Sequence, residues 1–231
     1  MTDDVQDDDK WCFAWFAGED EGQGQTRAAL QKNAKWQPGD VIRIAFLDGT
    51  DQQKALVKQY AQEWVDGLAN LTFSWVNDPA QSDIRISFRY KGSWSVIGTT
   101  CKTVPKQQAT MNFGWLKPNT PAPEAKRVIL HEFGHALGLI HEHQNPDGGI
   151  QWNKPAVIAD LSGPPNSWNL DTIERNMFKA YAQGEINGTN LDAKSIMLYP
   201  IPASWTTNGF SAGSNKELSP TDRTFIQQQY P

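Results

Sequence analysis

Cysteine, histidine and long hydrophobic runs are all scarce in this chain of 231 residues. Its two cysteines, Cys12 and Cys101, allow one disulfide at most, which excludes a fold built on a disulfide framework. The longest apolar stretches, such as residues 41–47, are interrupted by charge and fall far short of the ~20 residues that a membrane-spanning helix needs. The first residues also lack the basic and apolar regions of a secretory signal peptide, so either such a signal has been removed or export does not use one.

Positive charge is scarce at the start of the chain and balanced elsewhere. Residues 1–21 hold eight acidic residues and one lysine, a net charge of −7, whereas the whole chain carries −5. The rest is close to neutral, which argues against a nucleic-acid partner or a basic membrane-binding patch. We expect residues 1–35 to form a solvated, acidic N-terminal arm of the pro-segment kind, and residues 36–231 to form one catalytic domain.

The first half of the domain alternates between strand and helix patterns. Leu56, Tyr60, Trp64 and Leu68 recur at steps of four and predict a helix over residues 51–69, with Thr50 or Asp51 as its N-cap. A second helix is predicted over residues 124–137. Five β-rich segments predict strands at residues 41–47, 71–76, 84–90, 93–98 and 109–115. This order predicts an α/β (α+β) lobe with a mixed five-stranded sheet and two main helices.

The second half of the chain is rich in glycine and proline. These residues predict loops everywhere except a helix near residues 171–181 and a short C-terminal helix, for which Ser219 is a good N-cap and Pro220 a good first residue. We therefore expect a bilobal domain, with an N-terminal lobe of about residues 36–138 and a loop-rich C-terminal lobe of about residues 139–231.

All four histidines lie within thirteen residues, and three of them fall in the pattern H-E-x-x-H-x-x-G-x-x-H. His131 and His135 stand four residues apart on the second predicted helix, so their imidazoles project from one face and can share a metal ion. Chance placement of the whole pattern in a chain of this composition is on the order of a few in a million. A metal site is therefore favoured over incidental core histidines.

The third histidine, His141, cannot reach that metal from a continuous helix. Six residues beyond His135, it would lie about 240° around the axis and face away. Gly138 stands between them and can adopt the positive φ that ends a helix. We expect the chain to turn at Gly138 and to bring His141 back, because catalytic Zn²⁺ takes three protein ligands and keeps a fourth position open.

Glu132 directly follows the first ligand. It is rotated by about 100° from His131, so its carboxylate can reach a water on the metal without displacing it, as a general base must. The pattern therefore predicts a zinc-dependent endopeptidase, in which a metal-activated water attacks internal peptide bonds.

The same motif resembles the metzincin zinc peptidases, which are named for a methionine turn below the metal. Met197, in the segment Ser-Ile-Met-Leu-Tyr, matches that turn, and its Ser-x-Met-x-Tyr form is similar to the astacin family. Glu142, directly after His141, fits the same family. The resemblance implies that Tyr199 is a displaceable further metal ligand that stabilises the oxyanion, and that Glu142 lies around the metal without ligating it.

The resemblance also reaches upstream of the motif. Residues 92–98 look like the astacin strand that borders the cleft, and a plain buried strand is the alternative. As an edge strand, these residues would pair with a protein or peptide substrate bound in an extended conformation. The residues concerned are Ser93, Trp94, Ser95 and Val96.

The chain departs from the family in its cysteines. Astacins usually carry two disulfides, and one of their cysteines falls where this chain has Ser93. The better match is a minimal, microbial-type astacin-like peptidase. In astacins the glutamate after the third histidine, here Glu142, pairs with the mature N-terminus, and the missing disulfides argue against that pairing in this chain. The family resemblance implies a secreted or extracellular protein, although the sequence shows no signal peptide.

Cys12 lies in an apolar island, Trp-Cys-Phe-Ala-Trp-Phe, within the acidic arm. Three roles are open to it: a disulfide with Cys101, simple packing, or a thiolate that occupies the open position of the zinc and keeps the enzyme latent.

Two other functions remain open. A zinc amidase acting on cell-wall or other non-protein amides could use the same chemistry, and a non-catalytic protein could retain the zinc. The presence of Glu132, which metal binding does not need, argues against the second. The sequence does not give the oligomeric state or the preferred cleavage site.

Overall fold

The structure is a computed structural model that describes residues 34–145, 149–164, 166–179 and 191–231, together with the backbone of residues 12–15. Its described part contains one six-stranded sheet. The strands are β1 (Cys12–Trp15), β2 (Val41–Phe46), β3 (Thr72–Trp75), β4 (Ile84–Ser87), β5 (Ser93–Val96) and β6 (Met111–Phe113).

The sheet is mixed, as predicted. Its strand order is β1-β5-β6-β4-β2-β3. Strand β5 runs antiparallel to β6, whereas all other neighbouring strands are parallel. The five predicted strands are present with shorter bounds. The sixth, β1, comes from the acidic arm, where the sequence suggested an apolar island but no strand.

Five α-helices lie in the described residues: α1 (Asp51–Ala61), α2 (Ala122–Ala136), α3 (Lys154–Ser162), α4 (Leu170–Ile173) and α5 (Pro220–Gln229). Thr50 caps α1 with a capping box, as one of the two predicted N-caps. Helix α1 is shorter than the predicted 51–69, because the chain tightens into a 3₁₀ turn at Gln62–Trp64. Ser219 caps α5 in the predicted way.

Helix α3 corrects the expectation that residues between the metal motif and residue 171 form only loops. Pro155 lies in the first turn of α3, where its missing N–H costs no hydrogen bond, and Gly163 follows the last helical residue as the C-cap. Val157 and Leu161, four residues apart, bury one face of this helix. The predicted helix near residues 171–181 is α4, which continues as a π-helical segment at Glu174–Phe178.

Helix α2 is held by side chains from outside the helix. The indole N–H of Trp64 donates to the carbonyl of Leu130, and that of Trp36 donates to the carbonyl of Ala136. The Tyr230 hydroxyl donates to the carbonyl of Leu137, at the C-terminal end. The bonds to Ala136 and Leu137 satisfy carbonyls at the end of α2, and all three bonds tie the helix to other parts of the chain. Separately, none of the described helices combines the length and the hydropathy that a membrane span requires.

Candidate metal centre

The first two predicted ligands and the predicted base lie on the last two turns of α2. His131, Glu132 and His135 are 2%, 0% and 0% exposed, so all three side chains point into the protein rather than to bulk solvent. The helix brings them together through its own periodicity, as the sequence predicted.

The chain reverses at Gly138 and so brings His141 back towards the other two ligands. Gly138 has a φ of 96°, in the region that favours glycine, and the amide of Leu139 donates to the carbonyl of Gly134. A left-handed residue followed by such a bond is the usual way for a helix to end and reverse. His141 is thereby brought to within 3.2 Å of His135, measured between the two Nε2 atoms.

The three histidines form a group whose ligand atoms all lie within 4.8 Å of one another. Each Nδ1 atom faces an acceptor: His131 the carbonyl of Ile196 at 2.8 Å, and His135 the carbonyl of Leu139 at 2.9 Å. For His141 the acceptor is Oε1 of Gln144, at 3.3 Å. With every Nδ1 donating, every Nε2 is left as the lone-pair atom that a metal needs.

The protonation state of the triad suits a metal. Burial lowers the pKa of His135 to about 4, and it lowers the pKa values of His131 and His141 well below the ordinary value, with the charge of His135 as a second cause. The imidazoles are therefore neutral near pH 7. The buried Nε2 atom of His131 has no hydrogen-bond partner within the described part of the chain. An unpaired buried acceptor beside two other imidazole nitrogens fits Zn²⁺ as the missing partner.

The predicted methionine turn lies directly against α2. An added Cβ at Gly134 would come within 2.3 Å of the Met197 sulfur, so only glycine allows the two to approach this closely. The turn is anchored by Asp222, which accepts from the Ser195 hydroxyl at 2.7 Å and from the Ile196 amide at 2.8 Å.

Tyr199 packs beside the triad at the end of this turn. Its ring centroid lies 4.3 Å from that of His141 and 5.8 Å from that of His131, and the side chain is 3% exposed. The structure thus brings together all of the predicted metal-site residues: the three histidines, Glu132, Met197 and Tyr199.

The chain as a whole is similar to a known protein family. The family model described as Astacin, a peptidase family, matches residues 28–230, which is most of the chain. The chain belongs to the astacin family. Its membership confirms the predicted zinc metallopeptidase class and Zn²⁺ as the metal.

Individual relatives support the same conclusion. The solved structure of myroilysin is 43% identical, has a TM-score of 0.83, and covers 87% of this chain and 97% of its own, which confirms the α/β metzincin-like fold. Tolloid-like protein 1 of Homo sapiens is 28% identical over 204 residues, 86% of this chain but 17% of its own length. Zinc metalloproteinase nas-30 of Caenorhabditis elegans is 25% identical over 194 residues, 82% of this chain and 24% of its own length. The chain therefore spans about a fifth of these two curated relatives.

Glu142 directly follows the ligand His141 and bonds to two segments of the C-terminal lobe. Its amide donates to the carbonyl of Met197, and its Oε1 accepts from the amide of Asp192 at 3.0 Å. Burial raises the pKa of this carboxyl group to about 7. The residue ties the segment after His141 to the methionine turn and to the stretch that leads into it.

Strand β5 contains the residues that the family resemblance predicted as the cleft-side strand. Ser93 and Ser95 are buried, whereas Trp94 is partly exposed and its ring contacts that of Tyr90. However, β5 is not the outermost strand, because β1 pairs with it in parallel, with Cys12 opposite Ser93. Strand β1 therefore covers the hydrogen-bonding edge of β5 that the sequence assigned to substrate.

The two cysteines do not form a disulfide in this structure. Cys101 is a free, buried cysteine, and burial raises the pKa of its thiol to about 12. One of the three roles considered for Cys12 is thus not realised. The side chain of Cys12 lies outside the described residues.

Several groups that support the site were not predicted. Gln144 contacts His141, and Asp222 anchors the methionine turn. His143 stacks on Tyr199, with centroids 5.0 Å apart, and donates to the carbonyl of Asn176 at 2.7 Å. Asp222 lies within the predicted start of the C-terminal helix, but its bond to a residue 26 positions away leaves no local signal in the sequence.

Proposed function

We propose that the protein is a zinc-dependent endopeptidase that hydrolyses internal peptide bonds. One observation carries the proposal: three buried, neutral imidazoles place one ligand nitrogen each within 4.8 Å of the others, with the buried Glu132 next to the first of them on α2. This donor set is a three-nitrogen site with an open position, the arrangement of catalytic zinc.

The proposed mechanism assigns a task to each side chain. His131, His135 and His141 would hold the zinc, which supplies Lewis acidity that polarises a carbonyl group and makes water more acidic. Glu132 accepts a proton from the attacking water and later delivers it to the leaving amine. The Tyr199 hydroxyl, on a ring packed against His131 and His141, would donate a hydrogen bond to the developing oxyanion and would serve as a displaceable ligand when the metal is bound.

The proposed substrate is an extended segment of protein. Ser93, Trp94, Ser95 and Val96 belong to a short strand with one side paired to β6. When β1 does not cover it, the other side offers backbone groups to a peptide, which gives affinity without strong sequence selection. The partly exposed Trp94 would contact substrate side chains. This mode of binding suits a peptidase better than an amidase for cell-wall amides.

Exchange of Glu132 for glutamine tests the mechanism. Glu132→Gln keeps the shape and removes the base, so we expect kcat/KM on a quenched peptide library to fall by about 10²–10⁴-fold while zinc is retained. Glu217→Gln is the matched control, because Glu217 is an exposed glutamate that pairs with Lys126 on the protein surface. A chelator should abolish cleavage by the wild-type protein.

Three outcomes separate the proposed function from its alternatives. Cleavage that survives Glu132→Gln would contradict the assigned base. Cleavage of cell-wall fragments but not of peptides would favour a zinc amidase. Zinc binding with no hydrolysis of either substrate would favour a non-catalytic protein.

We also propose that residues 1–35 are a regulatory arm and that residues 36–231 are the catalytic domain. The pairing of β1 with β5 supports the proposal, because substrate and arm would compete for one strand edge. The Cys12 thiol would occupy the open metal position in the latent enzyme. We expect Cys12→Ala to raise the basal peptidase activity of the full chain. Unchanged activity and unchanged zinc affinity would contradict a role for the thiol.

Glu142 would lie around the metal without ligating it, as a residue that holds the segment after His141.

We propose, from the family, that the protein is secreted. Measurement of peptidase activity and protein in the culture medium and in the cells of the producing organism tests the location. An exclusively intracellular protein would contradict it.

A further inference from the structure

The three ligand histidines are oriented by acceptors of two kinds. His131 and His135 donate to the backbone carbonyls of Ile196 and Leu139, which any residue at those positions would provide. His141 instead faces a side chain, the amide of Gln144, three residues further along the chain. The orientation of the third ligand therefore depends on the identity of one amino acid.

The contacts of Gln144 fix which way its amide points. Its Nε2 atom lies 3.1 Å from the carbonyl oxygen of Arg175 and 3.3 Å from that of Lys179. Carbonyl oxygens only accept hydrogen bonds, so the NH₂ group must face them, and Oε1 must face His141. Because Oε1 only accepts, Nδ1 of His141 must carry the proton. Its Nε2 atom, 3.2 Å from that of His135, is then left as the lone-pair atom.

The segment that accepts hydrogen bonds from the Gln144 amide has an uncommon backbone conformation. Glu174–Phe178 is π-helical, and the amide of Lys179 donates back to the carbonyl of Glu174. A carbonyl of this wider turn, that of Asn176, also accepts from Nε2 of His143. Side chains of two consecutive residues thus bind three carbonyls of one segment. Gln144 is 7% exposed, so water cannot readily replace these partners.

We propose that Gln144 is a positioning residue that fixes the tautomer and the ring orientation of His141, and that the segment of residues 174–179 holds Gln144 in place for this task. The inference rests on the proposed zinc site. Mutation of the hydrogen-bond partner of a metal-binding histidine lowers metal affinity by roughly 10–100-fold. The π-helical segment would thereby influence the metal although it supplies no ligand.

Two substitutions separate positioning from simple packing. Gln144→Leu removes both the acceptor and the donors, so we expect zinc affinity, measured by competition with a chelator, to fall by roughly 10–100-fold. Gln144→Glu keeps an acceptor for the Nδ1 proton but places a carboxylate against the two carbonyls. It should retain zinc affinity near the wild-type level while the apoprotein unfolds at a lower temperature.

The controls distinguish this inference from the function it rests on. Gln52→Leu is the matched control, because Gln52 is an exposed glutamine that also donates to a backbone carbonyl, that of Pro118. His141→Ala sets the level of zinc binding without the third ligand. Wild-type protein that binds zinc no better than His141→Ala would contradict the proposed site, and this inference with it.

Two other outcomes would overturn the role of Gln144 alone. One is a zinc affinity of Gln144→Leu equal to that of Gln52→Leu. The other is a loss of affinity in Gln144→Glu as large as in Gln144→Leu, since that pattern follows from damage to packing. If Gln144→Leu does not fold, Gln144→Ala takes its place as the variant that lacks the acceptor, with a loss of roughly tenfold or more supporting the inference and an affinity equal to that of Gln52→Leu overturning it. The Co²⁺-substituted proteins give a second readout, since a rotated His141 ring shifts the visible absorption bands.

Discussion

Helix α2 and the irregular chain that follows Gly138 contribute to the metal centre in different ways. The helix supplies two ligands and the base through its own periodicity. The chain after Gly138 supplies the third ligand, Tyr199, and all three acceptors that orient the imidazoles: Leu139, Gln144 and Ile196. Helix α2, the helical half of the site, therefore presents two of the three ligands and the base. The chain after Gly138, the irregular half, supplies the other reactive groups and sets the directions of all three imidazoles.

The two halves are also stabilised differently. Backbone hydrogen bonds hold α2 together, whereas single side chains bind backbone groups to hold the irregular half in place. Asp222 makes several such bonds, because it accepts from the Ser195 hydroxyl and from the amides of Ile196 and Ser219. Substitutions in the irregular half can therefore lower the stability of the site and its affinity for zinc without any change to a ligand.

Removal of Asp222 should give the largest effect. Asp222→Ala leaves the buried amides of Ile196 and Ser219 without acceptors, and each such loss costs about 1–3 kcal/mol. We expect chemical denaturation of the apoprotein to show a loss of roughly 3 kcal/mol or more. Zinc affinity should also fall, because the Ile196 carbonyl orients His131.

The matched control is Asp51→Ala, which removes an exposed aspartate from the first turn of α1. That change should cost less than about 1 kcal/mol. Equal stability of the two variants would contradict the anchoring role of Asp222.

The contact between the two halves is tested at Gly134. In Gly134→Ala the new Cβ would lie 2.3 Å from the Met197 sulfur, so the turn must shift. Overpacking costs about 1–3 kcal/mol, and the better helix propensity of alanine returns up to about 1 kcal/mol. We expect a net loss of about 1–2 kcal/mol in denaturation.

A second substitution sharpens this prediction. In a Met197→Ala background the clash disappears, so Gly134→Ala should cost less there than in the wild type. Gly213→Ala, at a glycine with nothing within 4 Å of an added Cβ, should have little effect. Identical costs of Gly134→Ala in both backgrounds would show that the sulfur contact is unimportant.

The turn between the halves is tested at Gly138. An added Cβ has room there, with its nearest neighbour 3.8 Å away, so Gly138→Ala measures backbone strain at a φ of 96°. That strain costs about 1–2 kcal/mol. Gly39→Ala is the control, because Gly39 has a φ of 88° and lies in the turn before β2.

Stability and zinc affinity should respond differently in these two variants. Both should lose similar stability, but only Gly138→Ala should lose zinc affinity, because it shifts His141. Equal zinc affinity in the two variants would contradict the proposed link between the turn and the third ligand.

Much of the site could be predicted because it depends on spacing. His131, Glu132 and His135 follow from helical periodicity, and the return of His141 follows from the need for a turn at Gly138. The five predicted strands and α2 were recognisable from alternation and from helical spacing in the same way. Each of these features is encoded within a short stretch of neighbouring residues.

The features that escaped prediction depend on distant partners or on backbone groups. Two of the three orienting acceptors are carbonyls, which every residue has, so no residue type marks Leu139 or Ile196. Strand β1 forms because β5 offers it an edge, which short-range alternation cannot reveal. Helix α3 was missed because the glycines and prolines on either side of it, such as Gly149 and Gly163, suggested a continuous loop.

The most direct test of the proposed zinc site is a crystal of the zinc-loaded protein measured on both sides of the zinc absorption edge. We expect one anomalous peak at ~2.0–2.1 Å from the Nε2 atoms of His131, His135 and His141, the usual zinc–imidazole distance. A peak at any other place, or coordination through an Nδ1 atom, would contradict the site.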